Sequence, residues 1–111
     1  MDLPELLAKE CISCSNKIAH LNKIQVRSYL NLLSNWRLQE DKLEREIKTK
    51  NFKQSLLLAN DIGLIAEQQN HHPDLYISWG ILRISVFTHA INGLSENDFI
   101  LAAKIDKLLE K

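Results

Sequence analysis

The sequence predicts a small α+β domain. Apolar side chains recur at helical spacing in three segments, near residues 23–33, 52–69 and 95–109, and β-branched and aromatic residues dominate 75–88. A helix that packs on a core shows an apolar stripe with a period of 3.6 residues, whereas a strand alternates its side chains between two faces. With 111 residues, 45% of them hydrophobic, the chain can build one core but not two, so we expect a single domain over residues 1–111.

The first half of the chain contains one clear helix and one ambiguous segment. Apolar residues from Lys23 to Leu33 form one stripe suited to packing on a sheet. Between residues 36 and 50, Leu43 and Ile47 fit the alternation of a strand, yet the abundant Glu, Lys and Arg residues favour a helix. The residue pattern alone leaves this segment open.

A helix is predicted from Phe52 to Gln69, with Asn51 as its N-cap and Asn70 as a left-handed C-cap. His71 and His72 follow directly and precede Pro73. Proline cannot continue a helix and disfavours the α conformation at the residue before it. The two imidazoles are therefore expected on a turn whose backbone is restricted.

Two strands are predicted next, over 75–79 and 81–88, as an antiparallel pair with a tight link at Gly80. Leu82, Ile84 and Val86 share one face of the second strand. If that face meets the helices, His89 points away from them at the strand end, where a pocket can open. Ser95 and Asp98 have the spacing of a capping box, which predicts a last helix to about Leu109.

Charge and hydropathy exclude two classes of partner. The chain has 14 basic and 14 acidic residues, so it lacks the positive field of a nucleic-acid binder. No segment approaches the ~20 apolar residues that span a bilayer, and the first residues lack a basic segment leading into a long apolar one. We therefore expect a soluble, cytoplasmic protein.

Cys11 and Cys14 form a single CxxC pair. Such a pair can be half of a zinc site, a redox pair or two ordinary thiols. No second CxxC pair completes a zinc site, and His20 alone leaves it one ligand short. We expect these cysteines to have no catalytic role.

Three of the four histidines, His71, His72 and His89, lie within nineteen residues, with Glu67 before them and Asp98 after them. Histidine titrates near neutral pH, so such a cluster is suited to general acid–base chemistry. Taken singly, each residue also has a structural interpretation: the histidines as loop or strand-end residues, Glu67 as a solvated side chain and Asp98 as a helix cap. Three imidazoles can also hold zinc, but adjacent histidines on a turn more often point apart, and we expect no metal.

The joint spacing resembles the pterin-4a-carbinolamine dehydratase family. Glu67 lies four residues before His71, and Trp79, His89 and Asp98 follow at intervals that match that family. The resemblance extends over residues 36–106. Its further residues are Trp36, Leu43-x-Arg45-x-Ile47 and Phe52 at the start and Ala102 to Asp106 at the end.

The resemblance implies a four-stranded antiparallel sheet with three helices packed on one face, the first two strands being joined near Glu40 to Lys42. It implies dehydration of 4a-hydroxytetrahydrobiopterin to quinonoid dihydrobiopterin, which recycles the pterin of aromatic amino acid hydroxylases. The pterin is the substrate, and no cofactor or metal is needed. Related proteins form dimers or tetramers. The family's catalytic histidines correspond to His71, His72 and His89, and its substrate-binding residues to Glu67, Asp98 and Trp79.

Two departures from the family pattern keep other functions open. Leu75 stands where an aromatic residue is common, and Ala90 where an acidic residue is frequent. One alternative is a non-catalytic interaction module, because some animal members serve as dimerisation cofactors of a homeodomain transcription factor. Another is a dehydratase-like protein acting on a different pterin, as in a molybdopterin-related pathway.

Overall fold

A computed structural model describes residues 1–12 and 18–110. In these residues the chain forms four helices and four strands, with a 3₁₀ turn at His89–Ile91. In chain order they are α1 (Leu3–Ala8), α2 (Lys23–Leu30), β1 (Arg37–Gln39), β2 (Lys42–Lys48), α3 (Phe52–Gln69), β3 (Asp74–Ile77), β4 (Ile81–Val86) and α4 (Glu96–Leu109). None of these helices is long and apolar enough to cross a membrane.

The strands form one antiparallel sheet in the order β1-β2-β4-β3. This confirms the predicted fold class. Glu40 and Asp41 join β1 to β2, and both have left-handed backbones, with φ of 52° and 66°, as a two-residue hairpin turn requires. The ambiguous segment is therefore a hairpin. Its pairing with β4, a contact between residues distant in the sequence, outweighs the helix preference of its charged residues.

One face of the sheet is covered by helices. Leu82, Ile84 and Val86 on β4 are fully buried and belong to the same core as Ile62 on α3 and Phe99 on α4. The opposite face is polar and aromatic: Arg83 contacts the Tyr76 ring and the Glu46 carboxylate there. The predicted alternation along β4 is thus confirmed.

Helix α4 is the most buried element, and it explains three residues on which the family resemblance rests. Six of its apolar side chains are buried: Phe99, Ile100, Leu101, Ala102, Ala103 and Ile105. Asp106 on the same helix accepts a hydrogen bond from the Trp36 indole at 2.7 Å and pairs with Arg45 of β2. Trp36, Arg45 and Asp106 therefore tie the start of the sheet to the last helix.

Helix boundaries agree with the sequence at α3 and α4 but differ at the first predicted helix. Asn51 and Asn70 cap α3 as expected, Asn70 with a φ of 50°. Helix α2 ends at Leu30 rather than Leu33, and none of its residues is buried. Its stripe only partly packs on the core, because a cavity lies beneath it.

Helix α1 was not predicted, although Asp2 caps it, accepting from the Glu5 amide, and Pro4 lies in its first turn. The Leu6 side chain anchors this short helix to the core and is fully buried there. Cys11 follows α1 and is half-buried, and its amide donates to the Gln69 side chain at 2.9 Å. Cys14 lies outside the described residues, so the structure describes only one cysteine of the CxxC pair.

Tyr29, Glu96 and Lys9 connect α2, the start of α4 and the end of α1. The Tyr29 hydroxyl donates to Glu96 at 2.5 Å, Lys9 pairs with the same carboxylate at 3.2 Å, and the Tyr29 ring stacks on Phe99. Desolvation by burial, together with the hydrogen bond to Glu96 and its negative charge, raises the pKa of Tyr29 to about 12. The folded chain therefore favours the protonated hydroxyl, which is the form that donates to Glu96.

We expect Tyr29→Phe to lower the free energy of unfolding by about 1 kcal/mol at neutral pH, because one hydrogen bond is lost while the ring stays. The pKa is higher in the folded chain than its ordinary value of 10.0. The stabilising contribution is therefore complete below pH 10 and is lost as the pH rises from 10 to about 12. Urea denaturation across that range measures both effects.

Tyr76→Phe is the matched control, because Tyr76 is exposed and lies on the outer face of the sheet. The interpretation of Tyr29 is wrong if both variants lose stability equally, or if Tyr29→Phe keeps the same alkaline loss as the parent chain.

Candidate functional site

The predicted site residues other than Trp79 come together at one end of the sheet. His71 and His72 precede β3, and Thr88 and His89 follow β4. Since Asp74 of β3 lies opposite Ser85 of β4, the residues before one strand and after the other are neighbours. The first turn of α4, which carries Asp98, reaches the same end.

His71 and Asp98 form a buried pair. Asp98 is fully buried and His71 is 5% exposed. His71 Nε2 lies 2.6 Å from Asp98 Oδ1. The other carboxylate oxygen accepts from the Thr88 hydroxyl at 2.7 Å and from the Ser95 amide at 2.9 Å. Every oxygen of this carboxylate is thus used by the protein.

These contacts define which nitrogen of His71 carries a proton. A carboxylate only accepts hydrogen bonds, so with Asp98 ionised Nε2 is the donor and Nδ1 keeps its lone pair. No described residue hydrogen-bonds to Nδ1, and in the described chain no sealed side-chain nitrogen or oxygen lacks a partner. Nδ1 therefore reaches solvent, where it can accept a proton.

His72 points the other way from its neighbour. Its side chain is 54% exposed, and its Nε2 pairs with the Glu67 carboxylate, which is 76% exposed. Glu67 lies in the last turns of α3, before the left-handed residue Asn70 that turns the chain towards β3. An exposed pair of this kind contributes little to stability, but it orients the imidazole.

His89 lies at the start of the 3₁₀ turn rather than on the strand, because β4 ends at Val86. It is exposed, and its ring meets the Phe87 ring edge-on at 5.1 Å. Its neighbour Thr88 is fully buried and bonded to Asp98. The backbone beside His89 is therefore fixed by the same carboxylate that holds His71.

Trp79 is not near this cluster within one chain. It lies in the link between β3 and β4, at the opposite end of that hairpin, and is 70% exposed. The length of β3 places it roughly 15 Å from the histidine end. Its predicted role in substrate binding stays a prediction.

Thr88 and Ser95 were not predicted as site residues. Their hydroxyls lie 2.8 Å apart, and both residues are fully buried beside Asp98. Ser95 was visible in the sequence only as a helix cap. Thr88 supplies a hydroxyl and Ser95 its backbone amide to the buried carboxylate, which requires such donors.

No group of three or more His, Cys, Asp or Glu side chains in residues 1–12 and 18–110 is arranged to hold a metal ion. His71 turns inward and His72 turns outward.

Comparison with solved structures places this fold in a known class. A crystal structure titled "transcriptional coactivator/pterin dehydratase" from Brucella melitensis superposes with a TM-score of 0.75 over 81% of this chain and 98% of that chain, at 24% identity. At this identity the likeness shows the fold.

Sequence comparison identifies the family. The family described as Pterin 4 alpha carbinolamine dehydratase matches residues 19–108. A protein from Alkaliphilus metalliredigens is 47% identical over 92% of this chain and 94% of its own length, and one from Rubrobacter xylanophilus is 40% identical over 96% and 100%. Both are named "Putative pterin-4-alpha-carbinolamine dehydratase". The chain belongs to the pterin-4a-carbinolamine dehydratase family, so the resemblance seen in its residues and the prediction of a dehydratase are confirmed.

We expect Thr88→Val to lower the free energy of unfolding by about 1–3 kcal/mol, because a buried carboxylate oxygen loses a donor. Thr88→Ser keeps the hydroxyl and is the matched control. Imidazole ¹⁵N spectra of the parent chain should show His71 with its proton on Nε2. A proton on Nδ1, or equal stability of the valine and serine variants, would contradict the arrangement.

Proposed function

We propose that this chain removes water from 4a-hydroxytetrahydropterin to give quinonoid dihydropterin, using histidines as general acid and base. The observation that carries the proposal is the buried His71–Asp98 pair, which lies at the same end of the sheet as the exposed residues His72 and His89. Membership of the dehydratase family supports the same reaction. The pterin is the substrate, and no cofactor or metal enters the proposal.

The bond changes require one base and one acid. A base takes the proton from N5 of the pterin, and the N5–C4a bond becomes a double bond. The C4a–O bond breaks, and the departing hydroxyl receives a proton and leaves as water. One proton is taken and one is given, so the two groups are restored by a net proton transfer between them or through solvent.

We assign the base to His71. Its Nδ1 has a free lone pair, and the imidazolium that forms after proton transfer lies against the Asp98 carboxylate. A carboxylate in that position orients the ring and stabilises its charged form. Asp98 was predicted to bind substrate. Because both of its oxygens are already bonded within the protein, we propose that it positions His71 instead.

We assign the acid to the exposed imidazoles, His72 and His89. Glu67 holds Nε2 of His72, which leaves Nδ1 for the substrate. His89 follows Thr88, which is anchored to Asp98, and its side chain is exposed. Both rings are exposed to water. The acid gives up a proton in every turnover, and contact with water lets it regain one.

The substrate also indicates a setting for the reaction. A 4a-hydroxypterin is what remains when an aromatic amino acid hydroxylase has used its tetrahydropterin. We therefore propose that the protein works beside such an enzyme in the cytoplasm. The Brucella melitensis protein is also described as a transcriptional coactivator, but no contact among residues 1–12 and 18–110 favours that activity for this chain.

The test of the proposed function is the rate at which chelator-treated protein accelerates dehydration of freshly generated 4a-hydroxytetrahydropterin, followed by ultraviolet absorbance. We expect His71→Ala to lose on the order of 10²–10⁴-fold of the acceleration, the range for general acid–base groups. Gln68→Ala, an exposed change on the same helix as Glu67, is the control and should keep full activity.

Absence of acceleration by folded parent protein would reject the proposed function and favour a different pterin or an interaction module. Full activity in a folded His71→Ala variant would reject the assignment of the base while leaving the reaction in place.

We further propose that the chain assembles as a dimer or tetramer. One side of β3 is unpaired in the sheet, and such an edge can pair with another strand. Leu57 and Leu64, two turns apart on α3, are 55% and 65% exposed. A water-facing apolar stripe on an otherwise well-packed helix is typical of an association surface.

Light scattering after size-exclusion chromatography should give a mass of two or four chains. Leu57→Gln with Leu64→Gln should shift the mass downwards, because the apolar surface is lost, while Ile24→Gln on α2, where Ile24 is 77% exposed, should leave it unchanged. A monomeric parent chain at high protein concentration would contradict the proposal.

A further inference from the structure

A cavity of about 440 Å³ lies between α2, the turn that joins β1 to β2, and the segment after the 3₁₀ turn. His71, His72 and His89 do not line it. Ligand pockets typically have volumes of about 300–1,000 Å³, so this space can accept a compact organic molecule. Nothing proposed above for the dehydration reaction uses it.

Much of the cavity lining is apolar. Val26 and Leu30 lie one turn apart on this helix and are only half-buried, although their spacing is that of a core-facing stripe. Leu38 of β1 and Leu94 face them across the cavity. Leu38 is 45% exposed, so water now covers apolar surface that a ligand would cover instead.

The rim of the cavity is cationic. Lys23 and Arg27, four residues apart on α2, both line it. Every ion pair of the described chain involves other residues, so these two cations have no acidic partner there. Asp41 is the single acid among the lining residues, and it is not in an ion pair either. The excess positive charge suits an anionic group.

Backbone hydrogen bonds hold one wall of the cavity, formed by Leu21, Gly93 and Leu94. Gly93 and Thr88 exchange backbone hydrogen bonds of 3.0 and 3.4 Å, and the Leu21 amide donates to the Leu94 carbonyl at 2.9 Å. The His20 ring lies so close to Gly93 that a Cβ atom there would be 2.1 Å from Nε2. A larger residue at position 93 would therefore require the His20 ring to move. A fixed wall lowers the ordering entropy that binding has to overcome.

We propose that this cavity is a second ligand site, for a small anionic amphiphile: a single carboxylate or phosphate on a compact apolar body. Arg27 and Lys23 hold the anion, and Val26, Leu30 and Leu94 contact the apolar body. The cavity is not lined by His71, His72 or His89, so this proposal does not depend on the proposed reaction.

The experiment uses three probes of one shape, 1-naphthoate, 1-naphthyl phosphate and the neutral 1-naphthalenemethanol, titrated into the full chain and followed by ¹H–¹⁵N spectra. We expect one or both anions to shift the amides of Asn92, Gly93 and Leu94 in a saturable manner. The neutral alcohol should bind at least about tenfold more weakly, because it lacks the charged contacts. The relative affinities of carboxylate and phosphate then identify the anion.

Lys23→Gln with Arg27→Gln should weaken binding of the anions by about tenfold or more and leave the neutral probe unchanged. These side chains make no ion pair, so the variant is expected to fold, which its spectrum checks. The control is the double variant Lys48→Gln with Lys53→Gln, which also removes two positive charges, but at positions that do not line the cavity. The proposal would be overturned if the amides of residues 92–94 showed no saturable shift or if the neutral probe bound as tightly as the anions. It would also be overturned if the control variant weakened anion binding as much as the Lys23→Gln, Arg27→Gln variant.

Discussion

The buried carboxylate of Asp98 is the interaction on which the site depends. It joins three segments that are distant in the sequence: the turn after α3 through His71, the segment after β4 through Thr88, and the start of α4 through Ser95. A buried charge is stable only when its oxygens have donors. Here one imidazole, one hydroxyl and one backbone amide supply them, and the position near a helix N-terminus adds favourable electrostatics.

This arrangement divides the histidines into two kinds. His71 is inside the protein with one nitrogen engaged and the other open, whereas His72 and His89 are on the surface. A proposed base gains from a fixed tautomer and a nearby negative charge, while a proposed acid gains from access to water. Two backbone features precede this contrast: the left-handed residue Asn70 ends the helix before the histidines, and Pro73 disfavours the α conformation at His72.

Sequence reasoning succeeded where local signals and the fold agree. Asn51 and Asn70 bounded α3 correctly because caps are local, and the faces of β4 followed from strict alternation. The residue pattern left β2 undecided because its pairing with β4 is non-local. The predicted end of α2 was too late because Leu33 reaches the core from a turn beyond the helix. The capping-box spacing correctly paired Asp98 with the Ser95 amide, whereas Thr88 was missed, since no spacing rule connects a strand end to a helix start. Trp79 matched a family position in sequence, yet only the three-dimensional hairpin reveals which end of the sheet it occupies.

The burial of α4 has a consequence for motion. Asp98 lies in the first turn of the helix that supplies more buried core residues than any other element of the described chain, and such elements are usually the last to open. His72 and His89, on exposed turns, can reorient on the nanosecond timescale of surface side chains. The site therefore combines a half whose order is tied to that of the core with a half made of exposed side chains, of which His72 is oriented by Glu67.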